Sequence, residues 1–339
     1  MTMLRGHQPA IEALLAANAS GAIHHAWLLA GPQGVGKGTF ARAAALRLLA
    51  EGMTPGSLPS GTLEVPASHQ AAALFAAGSH PDYRELQRLP KKDPAKTADG
   101  ASEELARSIT VDQVRSLGPF LGVKPSLSPR RVIVIDAADE LERPGASNAL
   151  LKSLEEPPSG TIFLLISHAP GRLLPTIRSR CRVLRFNPLS DADMAGVLGD
   201  AMPDADGEEI ATLVRFGEGA PGKALGYAGL EIGEIDAALE AIARDGDRSA
   251  TRRAALARQL SPKAAQPRYE AFLDRVPSVI ARAAGMRTGE DLRVVLDAYD
   301  ESRQVAAAAR GLSLDPQGTV HELAGIVARL APTDDRRRG

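Results

Sequence analysis

Apolar runs alternate with helix-forming stretches along the first part of the chain. The strand-like runs are HAWLLAG, RRVIVIDAADEL and GTIFLLISHAP, and the last of these is bounded by Gly160 and Pro170. The helix-forming stretches are KGTFARAAALRLLAEG and ASNALLKSLEEPP, the second of which is stopped by two prolines. Continuous apolar strands separated by helices are typical of a parallel sheet that is buried on both faces. The pattern therefore predicts an α/β domain over residues 1–188.

After the segment FNPLS the strand pattern fades, and apolar residues recur three and four positions apart. Helices are predicted over DADMAGVLGDAM, DGEEIATLVRFGEGAPGKAL, 251–259, 268–285, 289–309 and 318–330. Charged turns near 244–248 separate the first two helices from the others. We therefore predict a small helical domain over 189–245, a helical domain over 246–332 and a solvated tail over 333–339.

The stretch 52–108 has no clear periodicity and contains the polar run RLPKKDPAKTADGASEE. A segment of this length within a compact domain is typically an insertion, a lid or a disordered loop. Near its end, TVDQVRSLGPFL predicts a helix, because Thr110 and Gln113 stand at the spacing of a capping box.

Composition limits the classes of function. A chain of 339 residues with 44% hydrophobic residues suits two or three ordinary domains. The net charge is -1, so any contact with DNA has to come from a local patch or from partner subunits, and 4% aromatic residues argue against a stacking platform for single strands. Cys181 is the single cysteine, which excludes an internal disulfide and a four-cysteine zinc site. With neither a signal-peptide pattern nor a membrane-length apolar run, a cytoplasmic protein is expected.

The segment GPQGVGKGTF follows a strand and opens a helix, which is the setting of a phosphate-binding loop. In such loops backbone N–H groups surround phosphates, and a lysine, here Lys37, neutralises their charge. The next residue is Gly38, where the pattern requires the Ser or Thr hydroxyl that holds Mg²⁺. Thr39 lies about 100° further around the helix and cannot simply take over. The plain structural alternative is a glycine-rich turn with a surface lysine.

A second deficit lies at the end of the strand RRVIVID. Asp136 has the position of a Walker B aspartate, which stands near Mg²⁺ in nucleotide hydrolases. Ala137 follows it, where hydrolytic AAA+ enzymes place a glutamate that activates water. Asp139 and Glu140 lie further along and would need a different geometry to reach the same water. We therefore expect ATPase activity at this loop to be absent or very weak, while weak ATP binding stays open.

The triplet Ser179-Arg180-Cys181 follows the third strand. Alone, the triplet is a weak signal of function, and its structural alternative is a solvated arginine beside a buried cysteine. Taken with IHHAWLLAGPQGVGKGT, NALLKSLEEPP, GSHPDY and FLLISHAPGRLLPTIRSRC, the chain resembles the clamp-loader branch of the AAA+ proteins, and within it the family of delta-prime subunits of bacterial DNA polymerase III. The resemblance extends over essentially the whole chain and is densest over 1–50 and 130–190.

The resemblance implies a P-loop AAA+ domain with a parallel sheet, then a helical lid domain and a helical collar domain that forms oligomers. It implies a loader scaffold, acting in replication, in which Arg180 is an arginine finger supplied in trans to ATP on a neighbouring subunit. Ser167 falls at the first sensor and Lys223 near the second, where lysine keeps the charge but loses the guanidinium fork. The residues of the degenerate nucleotide site are Gly31, Gly34, Gly36, Lys37, Gly38, Thr39, Asp136 and Ser167.

Partners implied by the resemblance are gamma/tau-like ATPase subunits and delta, and indirectly the sliding clamp and primed DNA. No cofactor is required on this interpretation. The family commonly carries a four-cysteine zinc module before HPDY, whereas the corresponding stretch here contains no cysteine. His69 and His80 cannot rebuild a tetrahedral site, so no zinc is expected, and His24 and His25 are interpreted as structural.

Two other functions stay open. The first is an active ATPase resembling the gamma/tau motor subunit, which Lys37 and Asp136 favour and which Gly38 and Ala137 disfavour. The second is another AAA+ remodelling factor that acts on DNA or proteins, which the triplet SRC and the helix end LEEPP disfavour.

Overall fold

The computed structural model describes residues 4–90 and 105–332. The chain forms two compact units, Met1–Lys223 and Ala224–Gly339. The first unit extends beyond the predicted boundary at 188, and the division of the remainder into a lid domain and a collar domain stays a prediction. The predicted tail 333–339 lies outside the described residues.

One parallel sheet organises the first unit. Its strands are β1 (Ala26–Ala30), β2 (Tyr83–Gln87), β3 (Arg131–Asp136), β4 (Thr161–Ser167) and β5 (Arg182–Arg185). They lie in the order β2-β3-β4-β1-β5, and each neighbouring pair is parallel. Ala30 pairs with Ser167 on one side and with Arg185 on the other. The carboxyl ends of these strands therefore meet at one edge of the sheet.

Short and medium helices accompany this sheet along the chain as far as Leu225. They are α1 (Gln8–Ala19), α2 (Lys37–Met53), α3 (Gln70–Ala76), α4 (Val111–Arg115), α5 (Leu117–Gly122), α6 (Gly145–Glu155), α7 (Pro175–Arg178), α8 (Asp191–Ala201), α9 (Gly207–Gly217) and α10 (Pro221–Leu225). The predicted capping box begins α4, since the Gln113 N–H donates to Thr110 Oγ1 and the Thr110 N–H donates to Gln113 Oε1.

Both faces of the sheet are buried, as the continuous apolar runs predict. Alternate residues of the strands, such as Trp27 and Val134, pack with Phe40 of α2 on one face. The residues between them, such as Leu28, pack with Leu150 of α6 on the other. The predicted α/β fold class is confirmed.

The structure differs from the prediction within 52–108, where an irregular insertion is expected. Helix α3 and strand β2 lie inside this stretch, and β2 is an edge strand that pairs with β3 from Tyr83 opposite Val132. Its sequence, YRELQ, has the charged Arg84 and the polar Gln87 on its exposed positions and lacks the apolar run of a central strand. Residues 91–104 of the same stretch lie outside the described residues.

The second unit is helical, as predicted. Its helices are α11 (Ile232–Asp245), α12 (Thr251–Leu260), α13 (Gln266–Ala284), α14 (Gly289–Leu312) and α15 (Pro316–Ala328). The last four match the helices predicted over 251–259, 268–285, 289–309 and 318–330. In the described part of the chain, no helix combines the length and the apolarity that crossing a membrane requires.

A buried ion pair joins two helices of the second unit. Asp236 of α11 is 3% exposed, and its Oδ1 lies 2.7 Å from Nη2 of Arg275 on α13, whose side chain is fully buried. Arg282, about two turns further along α13 on the same face, contacts the other carboxylate oxygen at 2.7 Å. Removing the carboxylate would leave a buried guanidinium without its counter-ion, which is strongly destabilising.

We predict that Asp236→Ala lowers the free energy of unfolding by about 3–5 kcal/mol. Glu234→Ala is the matched control, because Glu234 lies on the same helix and pairs with Arg268 while 61% of its side chain is exposed. The control should lose less than about 1 kcal/mol. Urea denaturation followed by circular dichroism measures both, and equal losses would contradict the role given to the buried pair.

Candidate functional site

The loop after β1 has the backbone shape of a phosphate-binding loop. Gly31 follows the strand, and Gly34 and Gly36 have φ angles of +81° and +101°. Gly36 is the residue before α2, so the loop ends at the N-terminus of that helix. Glycine is required at position 34 for a second reason, since a Cβ there would lie 2.8 Å from the backbone nitrogen of Lys223. The Gly222 N–H donates to Gly34 O at 2.8 Å and holds this close approach.

Lys37 points into its own loop. The side chain is buried, and Nζ donates to the carbonyl oxygens of Gly31 at 2.6 Å and of Pro32 at 2.5 Å. Burial lowers the pKa of Lys37 to about 8, an effect that the nearby Asp136 and Asp139 carboxylates partly oppose. The ammonium group is thus engaged by backbone carbonyls of the loop it would use to hold a phosphate.

Gly38 and Asp136 are brought together, as their sequence assignments require. A Cβ at position 38 would lie 3.0 Å from Asp136 Oδ2, so a Ser or Thr hydroxyl at this position and the aspartate would face the same small volume. Thr39 follows Gly38 in the first turn of α2. The same Cβ would lie 3.2 Å from Nη1 of Arg42, a residue that the sequence motifs do not single out.

Arg42 connects α2 to the edge of the sheet. Its guanidinium donates to Glu85 on β2, with Nη2 at 2.9 Å from Oε1, and lies 3.8 Å from Asp136 Oδ2. Tyr83 also donates to Glu85, at 2.7 Å. Burial alone would lower the pKa of Arg42, but the hydrogen bond and charge of Glu85 outweigh it and raise the pKa. The one sequence signal for this residue is its spacing, four positions after Gly38 on the same face of the helix.

Burial raises the pKa of Asp136, although the Arg42 cation opposes this shift. The following residue, Ala137, is buried and apolar, so it supplies no base. Asp139 is engaged elsewhere: its carboxylate accepts from Ser167 Oγ at 2.6 Å and from the Ala169 N–H at 3.1 Å. Glu140 pairs with Arg88 at 2.8 Å. The two acids beyond the strand therefore hold neighbouring segments together.

Ser167 ends β4 and is fully buried. Its hydroxyl donates to Asp139, as described, and its carbonyl accepts from the Gly31 N–H at 3.3 Å. Ser167 is thus adjacent to the loop in space, and its assignment as a first sensor stays a prediction. Lys223 pairs with Glu218 at 2.8 Å.

His7 is another neighbour of the loop that the motifs do not indicate. Its Nε2 lies 2.7 Å from the Val35 carbonyl oxygen, and its ring packs on Phe186 with a centroid separation of 4.7 Å. Burial lowers the pKa of His7. The neutral ring donates to the Val35 carbonyl oxygen and so supports the shape of the loop.

Arg180 lies between α7 and β5 with its side chain partly exposed. Nη2 contacts Glu155 Oε1, at the end of α6, at 2.8 Å, and Nη1 donates to the Thr176 carbonyl oxygen at 2.9 Å. The next residue turns inward: the Cys181 thiol donates to the Ile177 carbonyl oxygen, and burial raises its pKa to about 12. The triplet SRC therefore anchors its cysteine and directs its arginine outward.

Arg180 and the loop lie at opposite ends of the strands. Arg182 opens β5 opposite Trp27, near the amino end of β1, whereas the loop leaves the carboxyl end of β1. β1 has 5 residues, which at about 3.3 Å per residue separates the two edges by roughly 16 Å. The arginine therefore lies near the amino ends of the strands, whereas the loop of its own chain lies at their carboxyl ends.

A family model described as DNA polymerase III, delta subunit, matches residues 6–190. The chain belongs to this family. It is 38% identical over 198 residues to DNA polymerase III subunit delta' of Pseudomonas aeruginosa, a match that covers 58% of this chain and 53% of the relative. It is 33% identical over 225 residues to subunit delta' of Escherichia coli strain K12, which covers 64% of this chain and 58% of the relative.

The chain is also 33% identical over 194 residues to DNA polymerase III subunit gamma of Buchnera aphidicola, covering 57% of this chain and 46% of that protein. The chain thus spans little more than half the length of the delta' relatives that it matches. The family model covers the whole sheet, the loop and Arg180, whereas the helical second unit lies beyond it.

Side-chain and backbone contacts hold the stretch before HPDY together. His69 caps α3, since its Nδ1 accepts from the Ala71 N–H, and its Nε2 lies 2.8 Å from Thr54 Oγ1. The buried Arg47 donates to the Pro59 carbonyl oxygen at 2.7 Å. His80 is buried and accepts from a backbone N–H. Within residues 4–90 and 105–332, no cluster of three or more potential ligands for a metal ion is found, and the absence of zinc stays a prediction.

We predict that Lys37 makes stability depend on alkaline pH. Its pKa in the folded chain is about 8, below the ordinary value of 10.5, so between these pH values the unfolded chain binds more protons. As the pH is raised through this range, the free energy of unfolding of the wild type should therefore increase relative to that of Lys37→Met. The increase is at most about 1.4 kcal/mol per pH unit. Denaturant unfolding from pH 8 to 10 measures this, with the exposed Lys152→Met as control. Parallel profiles for wild type and Lys37→Met would contradict it.

Proposed function

We propose that this chain is a delta-prime-like subunit of a DNA polymerase III clamp loader. It would act as a scaffold and present Arg180 to ATP bound by a neighbouring gamma/tau-like ATPase subunit. The other proposed partners are a delta subunit and, indirectly, the sliding clamp and primed DNA. Its membership of the family and its similarity to proteins named subunit delta' support this proposal.

The observation that carries the proposal is the position of Arg180. It stands partly exposed at the amino edge of the sheet, roughly 16 Å along the strands from the loop of its own chain. An arginine in this place can serve a nucleotide on another subunit but not one at its own loop. Supplied in trans, such a residue stabilises the charge that develops on a transferring phosphoryl group. The interface this requires is head to tail, with different surfaces on the two subunits.

The chemistry at the chain's own loop supports the same proposal. A hydrolytic site needs a base near the terminal phosphate and a metal held by a hydroxyl and an acid. Here Ala137 is apolar, Gly38 has no hydroxyl, and Asp139 is occupied by Ser167 and backbone N–H groups. We therefore propose that the subunit requires no nucleotide cofactor and contributes to hydrolysis only through its neighbour.

The second candidate is an ATPase of the gamma type. It is favoured by the intact Lys37 and Asp136 and by the similarity to a protein named subunit gamma. The engagement of Lys37 with its own loop carbonyls weighs against it, since that ammonium would have to turn outward to meet a phosphate.

Direct contact with DNA is a smaller part of the proposal. With a net charge of -1, the chain has no bulk positive field. Contacts by this subunit would be made to phosphates, and their strength would fall steeply with salt.

We predict that the isolated chain does not turn over ATP above background. A coupled assay at saturating ATP and Mg²⁺ measures this, with Lys37→Ala as the matched variant. Both proteins should give the same background rate, because the site lacks a base and a metal-binding hydroxyl. Robust hydrolysis that Lys37→Ala abolishes would establish the gamma-type alternative instead.

We predict that Arg180→Ala leaves folding and assembly unchanged but impairs the loader. Hydrolysis at the neighbouring site should fall by about 10³-fold or more. The total ATP turnover of a reconstituted, clamp-stimulated loader should therefore lose the fraction that this one site contributes. Arg178→Ala is the control, since Arg178 is an exposed arginine on the preceding helix. Size-exclusion chromatography verifies assembly, and unchanged turnover in an assembled Arg180→Ala loader would show that this arginine is not a finger.

A further inference from the structure

We infer that Arg42 is a built-in cation that takes the place of a divalent metal at Asp136 and closes this loop to magnesium nucleotides. The inference concerns the loop alone and holds whether or not the chain is a clamp-loader subunit. It rests on four side chains that meet at the end of β3: Lys37, Arg42, Glu85 and Asp136.

The residues at this site do not fit a magnesium–nucleotide complex. Mg²⁺ in a P-loop site is held by a Ser or Thr hydroxyl at the start of the helix and by the strand-end aspartate. Gly38 supplies no hydroxyl, and the guanidinium of Arg42 lies in front of the aspartate, 3.8 Å from Oδ2. The lysine that would meet the phosphates donates to the carbonyl oxygens of Gly31 and Pro32 instead.

The geometry of α2 explains why the arginine reaches this place. Residues four apart lie one above the other on a helix, and side chains lean toward the N-terminus. Arg42 therefore extends back over position 38. A Cβ at that position would lie 3.2 Å from Nη1 of Arg42 and 3.0 Å from Asp136 Oδ2, so glycine leaves the room that the guanidinium uses.

The arginine is held in this position from a second side. Glu85 on β2 accepts from its Nε at 3.1 Å and lies 2.9 Å from its Nη2. Tyr83 donates to the other oxygen of Glu85 at 2.7 Å. Two cations, Lys37 and Arg42, thus lie close to two carboxylates, Asp136 and Glu85, and balance their charge. A divalent cation would have to enter beside a fixed guanidinium and compete with it for the aspartate.

A cycle of variants tests this inference on the isolated full chain. The proteins are the wild type, Gly38→Thr, Arg42→Ala and the double variant. Binding of ATP is measured by calorimetry in the presence of Mg²⁺ and in the presence of EDTA. The wild type should show no strengthening of binding by Mg²⁺. The double variant, with a hydroxyl restored and the guanidinium removed, should bind ATP at least about ten-fold more tightly with Mg²⁺ than without.

The two single variants separate the roles of the positions. Gly38→Thr alone should gain less than the double variant, because its side chain meets Arg42 at close range. Non-additivity of the two changes is the signature of residues that share one volume. Arg115→Gln is the charge-matched control, since it removes an exposed arginine of α4 whose partner is Asp112, and it should behave as the wild type.

Two results would overturn the inference. One is a wild type that already binds ATP about ten-fold more tightly with Mg²⁺ than with EDTA. The other is a folded double variant without any effect of Mg²⁺. Should the double variant fail to fold, Arg42→Gln replaces it, and Mn²⁺ is titrated in the presence of ATP and followed by electron paramagnetic resonance. More bound Mn²⁺ than in the wild type supports the inference, and an unchanged bound fraction refutes it.

Discussion

The common direction of the five strands is the constraint on which the first unit depends. Because β1, β4 and β5 are parallel and in register, whatever follows β1 lies at one edge of the sheet and whatever precedes β5 lies at the other. The phosphate-type loop and Arg180 are therefore kept apart by the full length of the strands. A sheet of this kind can be buried on both faces only by helices in the crossovers, which is why α2 and α6 carry the groups that surround each end.

Within the loop, the governing rule is that buried polar groups find partners. Lys37 is bonded to carbonyl oxygens of the loop, Ser167 to Asp139, and Arg42 to Glu85. Lys37 and Ser167 are buried, where an unpaired polar group would be costly, whereas the Arg42 side chain is partly exposed at the margin of the site. The site keeps the backbone of a nucleotide-binding loop, while its side chains satisfy one another.

The central strands were predictable because β1, β3 and β4 are apolar runs, in which burial on both faces confines polar residues to the strand ends. The edge strands β2 and β5 were not, since YRELQ and RVLR are short and have polar or charged residues on exposed positions. Lys37, Gly38 and Asp136 were found from motif spacing, and the structure brings them together. Arg42 was missed because its partner Glu85 lies 43 positions away on an edge strand. A lone arginine on a helix carries no sequence signal of such a contact.

The contact between position 38 and Arg42 has a consequence for the history of the loop. A threonine restored at position 38 meets the guanidinium, and removal of the guanidinium alone leaves Glu85 without its cation and position 38 without a hydroxyl. Each substitution made alone therefore creates a steric clash or an unpaired carboxylate. Only the two substitutions together leave room for a hydroxyl and a metal ion. The absence of a metal ligand at position 38 is in this sense entrenched, because the guanidinium beside it makes a metal site difficult to reach by single substitutions.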